Sequence, residues 1–518
     1  MNSYSLFDIV GPIMHGPSSN HTGGAVRLGY YYRQLMGILP EKITFLFHPA
    51  LMKFYKGHRT HLALMAGCLG MREDHPDVNK SERIMDEKNI KIEFKPTEEG
   101  EPDRNLMELI ATSDGIHWDI HGISVGGGNI LIDKINNIET DITGNSFVYL
   151  YILENPVDLT KIKESLPVED INGGKIPEGY LLYFSCKERL DEVPSEELLG
   201  KVLLERMLEP LSPFAEKIDR APILKTFQEL SVLCKDKDIS EVAIDYEKDR
   251  SKTTREQILS YAKEIVSVEK NAIDLGLKGD LNLIGGFVNS SDAKTMKKWS
   301  KSGNTLVGEA FSKAAAKALA VSSVNACGGI ITAVPTCGSS GTLPAILFTA
   351  AELKKKGPED LAKAFLVAAL LGTIVANKST LSGSVGGCQV EIGVGAAMGA
   401  GAAAWISGGD YSQIENAFSI TLKNVLGWTC DPPIGPVEIP CIKRNAIGTA
   451  VGLMGAELGL AGIKSSIPAD QVVDALVDTS NRLPIGLRCS GIGGLASVDI
   501  AKDLQKSWDK KIGELNSH

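Results

Sequence analysis

Apolar positions along this chain follow two rhythms, and the change comes near residue 250. Over residues 1–144 helical and strand patterns alternate. Residues 23–36 repeat apolar side chains at helical spacing, directly after Pro17, Ser18, Ser19, Asn20, His21 and Thr22, a run rich in N-capping residues. Residues 43–47 and 90–94 read as short strands, and 60–69 as an apolar helix. The pattern predicts an α+β domain. Residues 145–210 form a second, smaller α+β unit, with strands at 147–153 and 180–184 and helices at 159–166 and 195–208. Residues 211–250, with Pro213, Pro222 and the charged run 235–250, read as a linker with some helix. From 251 to 518 long Ala-, Leu- and Gly-rich helical runs (310–322, 361–375, 391–406, 449–460) alternate with short Gly and Pro loops, which predicts an all-α domain.

Composition narrows the classes. A length of 518 residues exceeds one ordinary core, so several domains are expected. A net charge of −10 argues against a nucleic-acid partner. Residues 1–6 lack a basic segment followed by an apolar core, and nine cysteines is an odd count, so a reducing, cytoplasmic setting is expected. Residues 382–406 are long and apolar enough to raise the question of a membrane span. Gln389, Glu391 and the Gly/Ala bulk instead point to a tightly packed buried helix and no membrane association.

Three cysteines sit in glycine- and proline-rich strings: Cys388 in GGCQVEIG, Cys430 in GWTCDPP and Cys441 in EIPCIKRN. Pro432, Pro433, Gly435 and Pro436 keep the segment between the last two from forming a helix, so it is a fixed loop. Three thiolates on rigid loops suit a metal centre that keeps one position open. The spacing matches no compact CxxC pattern, and buried free cysteines serve equally well as small hydrophobes.

The strings themselves carry more. Residues 427–432 (GWTCDP) with 437–446 (VEIPCIKRNA), 382–391 (SGSVGGCQVE), 493–496 (GGLA) and 16–22 (GPSSNHT) resemble the motifs of the iron–sulfur-dependent L-serine dehydratases, across nearly the whole length. The resemblance implies a [4Fe–4S] cluster held by Cys388, Cys430 and Cys441, with its unligated iron assisting loss of water from L-serine to give pyruvate and ammonia. L-threonine, L-cysteine or another β-substituted amino acid are alternative substrates, and a homodimer is the expected assembly. Histidines occur at 15, 21, 48, 58, 61, 75, 117, 121 and 518, so the cysteine-bearing half has none inside it. A histidine base must therefore come from the N-terminal part. Gly57-His58-Arg59-Thr60 resembles the family's Gly-His-x-Thr, which implies that His58 is the base; His61 stands where the family often has aspartate, leaving open what orients His58.

Ser18, Ser19 and His21, at a helix start, suit either a substrate carboxylate or simple capping, and Asn20 stands where the family more often has serine. Pro335-Thr336-Cys337-Gly338 resembles a Pro-Thr-x-Gly loop near substrate, with Cys337 in a position often taken by asparagine; Ser339, Ser340 and Ser382 are further candidate contacts. Cys489 matches a family position of open role. The 145–210 unit resembles a reduced ACT module in which Glu154-Asn155-Pro156-Val157 replaces the ligand-binding glycine turn. Some members of the family end in a cysteine that folds back on the free iron; residues 497–518 are a charged tail ending in Asn516-Ser517-His518, so that feature is not expected to carry over. A pyridoxal-phosphate enzyme is the competing chemistry, with residues 124–129 as phosphate loop and Lys378 as Schiff base, although Ile130, Leu131 and Ile132 make that glycine run the start of a strand. A non-catalytic amino-acid sensor is the competing class.

Overall fold

The computed structural model describes residues 4–97, 105–191, 194, 196–211 and 224–515. Twelve strands are described. A six-stranded mixed sheet holds β2 (Lys42–Phe47), β3 (Lys91–Pro96), β4 (Asn105–Ser113), β5 (Ile116–Gly126), β6 (Asn129–Ile135) and β7 (Ile138–Ile142) in the order β3-β2-β4-β5-β6-β7. Only β2 and β3 run parallel. The helices Ala25–Met36 and Thr60–Cys68 pack together on this sheet, burying Leu28, Tyr32, Leu64 and Met65 against Phe45, Trp118 and Ile120. The expected strands and helices of the first domain are present. The hairpin strands β4 to β7 had signalled only through residues 130–132.

The second unit is β8 (Phe147–Leu153), the helix Leu159–Ser165, β9 (Val168–Ile176), β10 (Gly179–Cys186), the short helix Glu196–Leu199 and β11 (Val202–Leu208). Its sheet order β11-β8-β10-β9, antiparallel throughout, is the β-α-β-β-α-β arrangement. Here the expected helix at 195–208 is corrected: four helical residues lead into an edge strand. Leu, Glu, Arg and Met favour a helix locally, but pairing with β8 outweighs that preference.

The third unit is helical. Its core is the helix Val394–Ile406, buried at every position except Trp405, against Pro358–Lys378, Thr342–Lys354, Tyr411–Lys423 and Cys441–Leu460. Small residues let these helices approach closely, as expected from the Gly/Ala composition. Among the described residues no helix is long and apolar enough to cross a membrane. The segment expected as a linker with some helix holds the helices Phe227–Leu233 and Ile239–Ser251, whose Phe227, Leu230, Ile239 and Val242 join this same core. Pro213, Pro222 and the tail 516–518 lie outside the described residues.

The chain's start also belongs to the helical unit. Leu6–Ile9 is a short helix in its core, and the buried Glu247 accepts hydrogen bonds from Ser5 Oγ (2.9 Å) and Leu6 N (2.7 Å). Just after it, β1 (Ile13–His15) pairs with β12 (Ile330–Thr332). The first domain is thereby stitched to the helical one immediately before the GPSSNHT string.

Candidate functional site

One small cavity, about 70 Å³, lies on that seam. From the α+β side it is lined by Ser18, Ser19, Asn20, His21 and His58; from the helical side by Gly338, Ser384, Glu391, Cys388, Cys430, Cys441 and Cys489. Side chains more than 300 residues apart in sequence thus face one another. Asn20 Nδ2 donates to Ser382 Oγ (3.0 Å), and Asn325 Nδ2 donates to the Pro17 carbonyl (3.0 Å), holding the two walls together.

Residues Ser19–Gly24 form a turn of π-helix, widened by one residue relative to an α-turn. Ser18 caps it, its Oγ accepting from His21 N (3.1 Å). His21 sits on this turn, with Nδ1 2.5 Å from His58 Nδ1 and Nε2 2.8 Å from Asn105 Oδ1. The backbone of His58 is fixed by Thr22 Oγ1, which donates to its carbonyl (2.7 Å). Burial holds both imidazoles below the ordinary histidine range, His58 well below it with His21 adding to the effect. Both are therefore neutral at pH 7, the form a base requires. His61 plays no part in orienting His58: its ring meets Tyr55 and Phe94, and burial pushes it down to about 4. The polar side chain that does touch the His58 ring is His21.

On the opposite wall, Cys388 Sγ, Cys430 Sγ and a carboxylate oxygen of Glu391 lie within 4.8 Å of one another, and Cys441 lines the same space. Cys388 precedes a second π-turn, Gln389–Gly393, which leads into the buried Gly/Ala helix. Gln389 ties its loop to the next: its N–H donates to the Trp428 carbonyl (3.1 Å) and its Oε1 accepts from Gly427 N (2.8 Å). Cys441 opens the helix Cys441–Leu460. Arg444, one turn on, reaches Cys388 Sγ (3.4 Å), the Thr429 carbonyl (2.6 Å) and Asp431 Oδ1 (3.1 Å). Asp431 Oδ2 in turn accepts from Leu495 N (2.9 Å). A Cβ on Gly494 would stand 2.4 Å from that oxygen, and the residue has φ +60°, so only glycine fits in the GGLA string.

The donor set fits a metal cluster. The hydrogen bond with Cys430, and then burial, hold Cys388 well above the ordinary thiol range; burial pushes Cys441 up to about 12. For Cys430 the bond with Cys388 acts downward, but that with Cys489 and burial outweigh it. Thiols crowded this way release their protons only to a strong cation. Soft sulfur ligands select iron–sulfur or related centres.

Other expected residues fall elsewhere. Ser339 Oγ donates to the Val334 carbonyl (2.9 Å), and both Ser339 and Ser340 are fully buried; neither lines the cavity. Ser382 is one layer back, its Oγ 2.8 Å from that of Ser384, which does line it. Cys337 is buried with its thiol on Met14 Sδ (3.5 Å). Lys378 Nζ pairs with Asp470 and Asp474 (3.5 and 3.3 Å), away from the cavity, and Gly127 and Gly128 form the turn between β5 and β6. Sequence reasoning assigned no role to Asn105, Glu391, Arg444 or Ser384. Glu391, Arg444 and Ser384 lay inside the quoted strings; Asn105 carried no local signal. Cys489, left open, borders Cys430: its N–H donates to the Cys430 carbonyl (2.5 Å), and it holds a left-handed conformation (φ 57°). Burial raises Glu391 to about 7, opposed by the Thr336 hydroxyl that donates to it (3.0 Å).

Comparison with known proteins falls on the helical half. Residues 234–496 match the family described as serine dehydratase alpha chain. The probable L-serine dehydratase, alpha chain, of Bacillus subtilis (strain 168) is 37% identical over 286 residues, 55% of this chain and 95% of the relative. The L-serine dehydratase, alpha chain, of Peptoniphilus asaccharolyticus is 34% identical over 295 residues, 56% of this chain and 99% of the relative. L-serine dehydratase 2 of Escherichia coli (strain K12) is 34% identical over 190 residues, 36% and 41% of the two chains. All four cavity cysteines lie within the matched span, and the histidines facing them lie outside it. The chain belongs to the serine dehydratase alpha chain family.

Proposed function

We propose that this chain deaminates L-serine to pyruvate and ammonia, using a [4Fe–4S] cluster held by Cys388, Cys430 and Cys441 and His58 as the base. The observation that carries the reading is the juxtaposition of a neutral histidine pair and a thiol cluster in one cavity, contributed by two different domains. When bound, the cluster supplies an electron-pair acceptor for the departing hydroxyl group. His58 takes the Cα proton through Nε2, which has no protein partner among the described residues. The Cα–H bond breaks, its electrons form the Cα–Cβ double bond, and the β-hydroxyl leaves and is released as water. The resulting aminoacrylate tautomerises and hydrolyses to pyruvate and ammonia. Ser18, Ser19 and Ser384, on the cavity wall, are the hydroxyls placed to receive the substrate's carboxylate and amino groups. Ser382 supports that wall through its hydroxyl contact with Ser384.

The 147–208 unit we read as an ACT-like module with a bridging role. Its Arg206 donates to the Leu35 carbonyl (3.1 Å) and pairs with Asp114, fastening it to the first domain. We expect a cytoplasmic homodimer. The described cysteines are all free thiols, which suits a reducing compartment. Anaerobic reconstitution with iron and sulfide, followed by measurement of pyruvate from L-serine, tests the function. Turnover that survives complete removal of iron refutes it. L-threonine and L-cysteine in the same assay define the substrate range.

A further inference from the structure

We infer that Asn105 and His21 form a fixed hydrogen-bond relay that selects the tautomer of His58 and leaves its Nε2 lone pair facing the cavity. The inference rests on the reading of His58 as the base and adds two positioning residues to it. The relay is read from its far end inward. Asn105 and Ser124 are paired across β4 and β5, and Asn105 Nδ2 donates to the Ser124 carbonyl (3.2 Å). The amide's other end, Oδ1, is therefore the acceptor toward His21, 2.8 Å away. An acceptor there requires the proton of His21 on Nε2. In a neutral imidazole the other nitrogen is then an acceptor, so His21 Nδ1 receives a hydrogen from His58 Nδ1 across 2.5 Å. His58 is thereby protonated on Nδ1 and unprotonated on Nε2. The chain of bonds has one consistent direction, and a backbone carbonyl in a β-ladder sets it.

The choice of an amide at position 105 has a consequence. A carboxylate there would stabilise a charged imidazolium and raise the pair's affinity for protons. Asparagine orients the rings while adding no charge, so the pair stays neutral near pH 7. The two ring planes are nearly parallel (15°) with centroids 4.7 Å apart, as side-by-side rings joined through Nδ1 require, and the Phe54 ring lies nearly parallel to that of His58 (5.9 Å, 18°). Asn105, His21 and His58 are 7, 8 and 4% exposed, so water does not compete for these bonds. The titratable groups facing the pair across the cavity are Glu391 and the thiols of Cys388, Cys430, Cys441 and Cys489; no other charged group lines that space among the described residues.

The test uses the full chain, reconstituted anaerobically, with Asn105→Ala, Asn105→Asp and His58→Gln. Asn105→Ala is expected to lower kcat about 10- to 100-fold with KM nearly unchanged, because substrate contacts remain and only the population of the reactive tautomer falls. Asn105→Asp keeps size and acceptor and is expected to move the acid limb of kcat/KM upward by about one pH unit. It also serves if the alanine variant fails to fold. Independently of turnover, 15N-histidine spectra of the unreconstituted protein, with His58 assigned by its loss in His58→Gln, should show an Nδ1–H tautomer that becomes mixed in Asn105→Ala. A His58 found with its proton on Nε2, or both Asn105 variants with unaltered pH profile and kcat, overturns the relay. These outcomes leave the base assignment standing so long as His58→Gln is inactive. A fully active His58→Gln instead refutes the base.

Discussion

Arg444 stands 3.4 Å from Cys388 Sγ and is the only guanidinium in contact with the thiol cluster among the described residues. Its remaining bonds, to the Thr429 carbonyl and Asp431, link the loops that carry Cys388 and Cys430 and bring in the GGLA string through Leu495. A positive charge here offsets the mutual repulsion of neighbouring thiolates. Charge-assisted hydrogen bonds of this kind contribute about 1.5–3 kcal/mol. Arg444→Met should therefore weaken iron retention on the order of 10- to 100-fold, read by competition with a chelator. Arg444→Lys should recover part of it, since lysine restores charge but not the forked geometry.

The histidine pair makes a separate prediction about acid. Burial lowers both values in the folded protein, so below the ordinary histidine value near 6.5 the unfolded chain binds protons that the folded one refuses. The stabilising contribution is complete above about pH 6.5 and is lost as pH falls toward the lowered values. Chemical denaturation of the metal-free protein should show stability declining from pH 6.5 to 5, with a shallower decline in His58→Gln. The acid limb of kcat/KM should lie below 6.5, because His58 keeps its lone pair there. A limb at 7 or above contradicts the buried neutral pair.

The three cysteines assigned to the cluster can be separated from the others by iron content alone. Cys388→Ser, Cys430→Ser and Cys441→Ser should each yield protein with sharply less bound iron and sulfide after reconstitution. Cys337→Ala removes a thiol buried against Met14 and should leave the iron content unchanged, at some cost in stability. Wild-type iron in Cys441→Ser would mean that only the Cys388–Cys430 pair and another ligand hold the metal.

How much of this was legible depended on the range of the interactions involved. The cysteine loops could be read because Pro432, Pro433, Pro436 and the surrounding glycines act on their own neighbours. The buried helix at Val394–Ile406 could be read because its Gly/Ala composition is itself the packing requirement. Strand β11 could not: Leu203, Leu204, Glu205, Arg206 and Met207 suit a helix, and the hydrogen bonds that decide otherwise come from β8, about fifty residues earlier. The same applies to residues 224–250, whose charged surface resembles a linker while Phe227, Leu230 and Val242 enter the helical core. Asn105 is the extreme case. Its meaning lies wholly in β-ladder pairing with Ser124 and in a histidine 84 residues away.

Glu438 illustrates how a structural residue can decide the fate of the proposed cluster. It lies in the loop between Cys430 and Cys441 with only 1% of its surface exposed. Its carboxylate turns away from the cavity and accepts four backbone N–H groups, from Gly285 (2.6 Å), Gly286 (3.0 Å), Phe287 (2.7 Å) and Val288 (3.2 Å). Four donors for two oxygens is full use of an ionised carboxylate. Glu438→Gln substitutes an amide whose NH2 group would face two of those donors, so about two hydrogen bonds are lost, and of the four N–H groups only that of Gly285 belongs to a buried residue. At about 1–3 kcal/mol per unsatisfied buried group, and less for an N–H that water can reach, the variant should lose on the order of 1–3 kcal/mol of stability. The loss should be local at first: amide exchange at 285–288 should accelerate before global unfolding. Because Cys441 follows three residues later, iron retention should fall with it although no ligand has changed. Slow exchange at 285–288 together with reduced iron would show that the loop is held by some other contact.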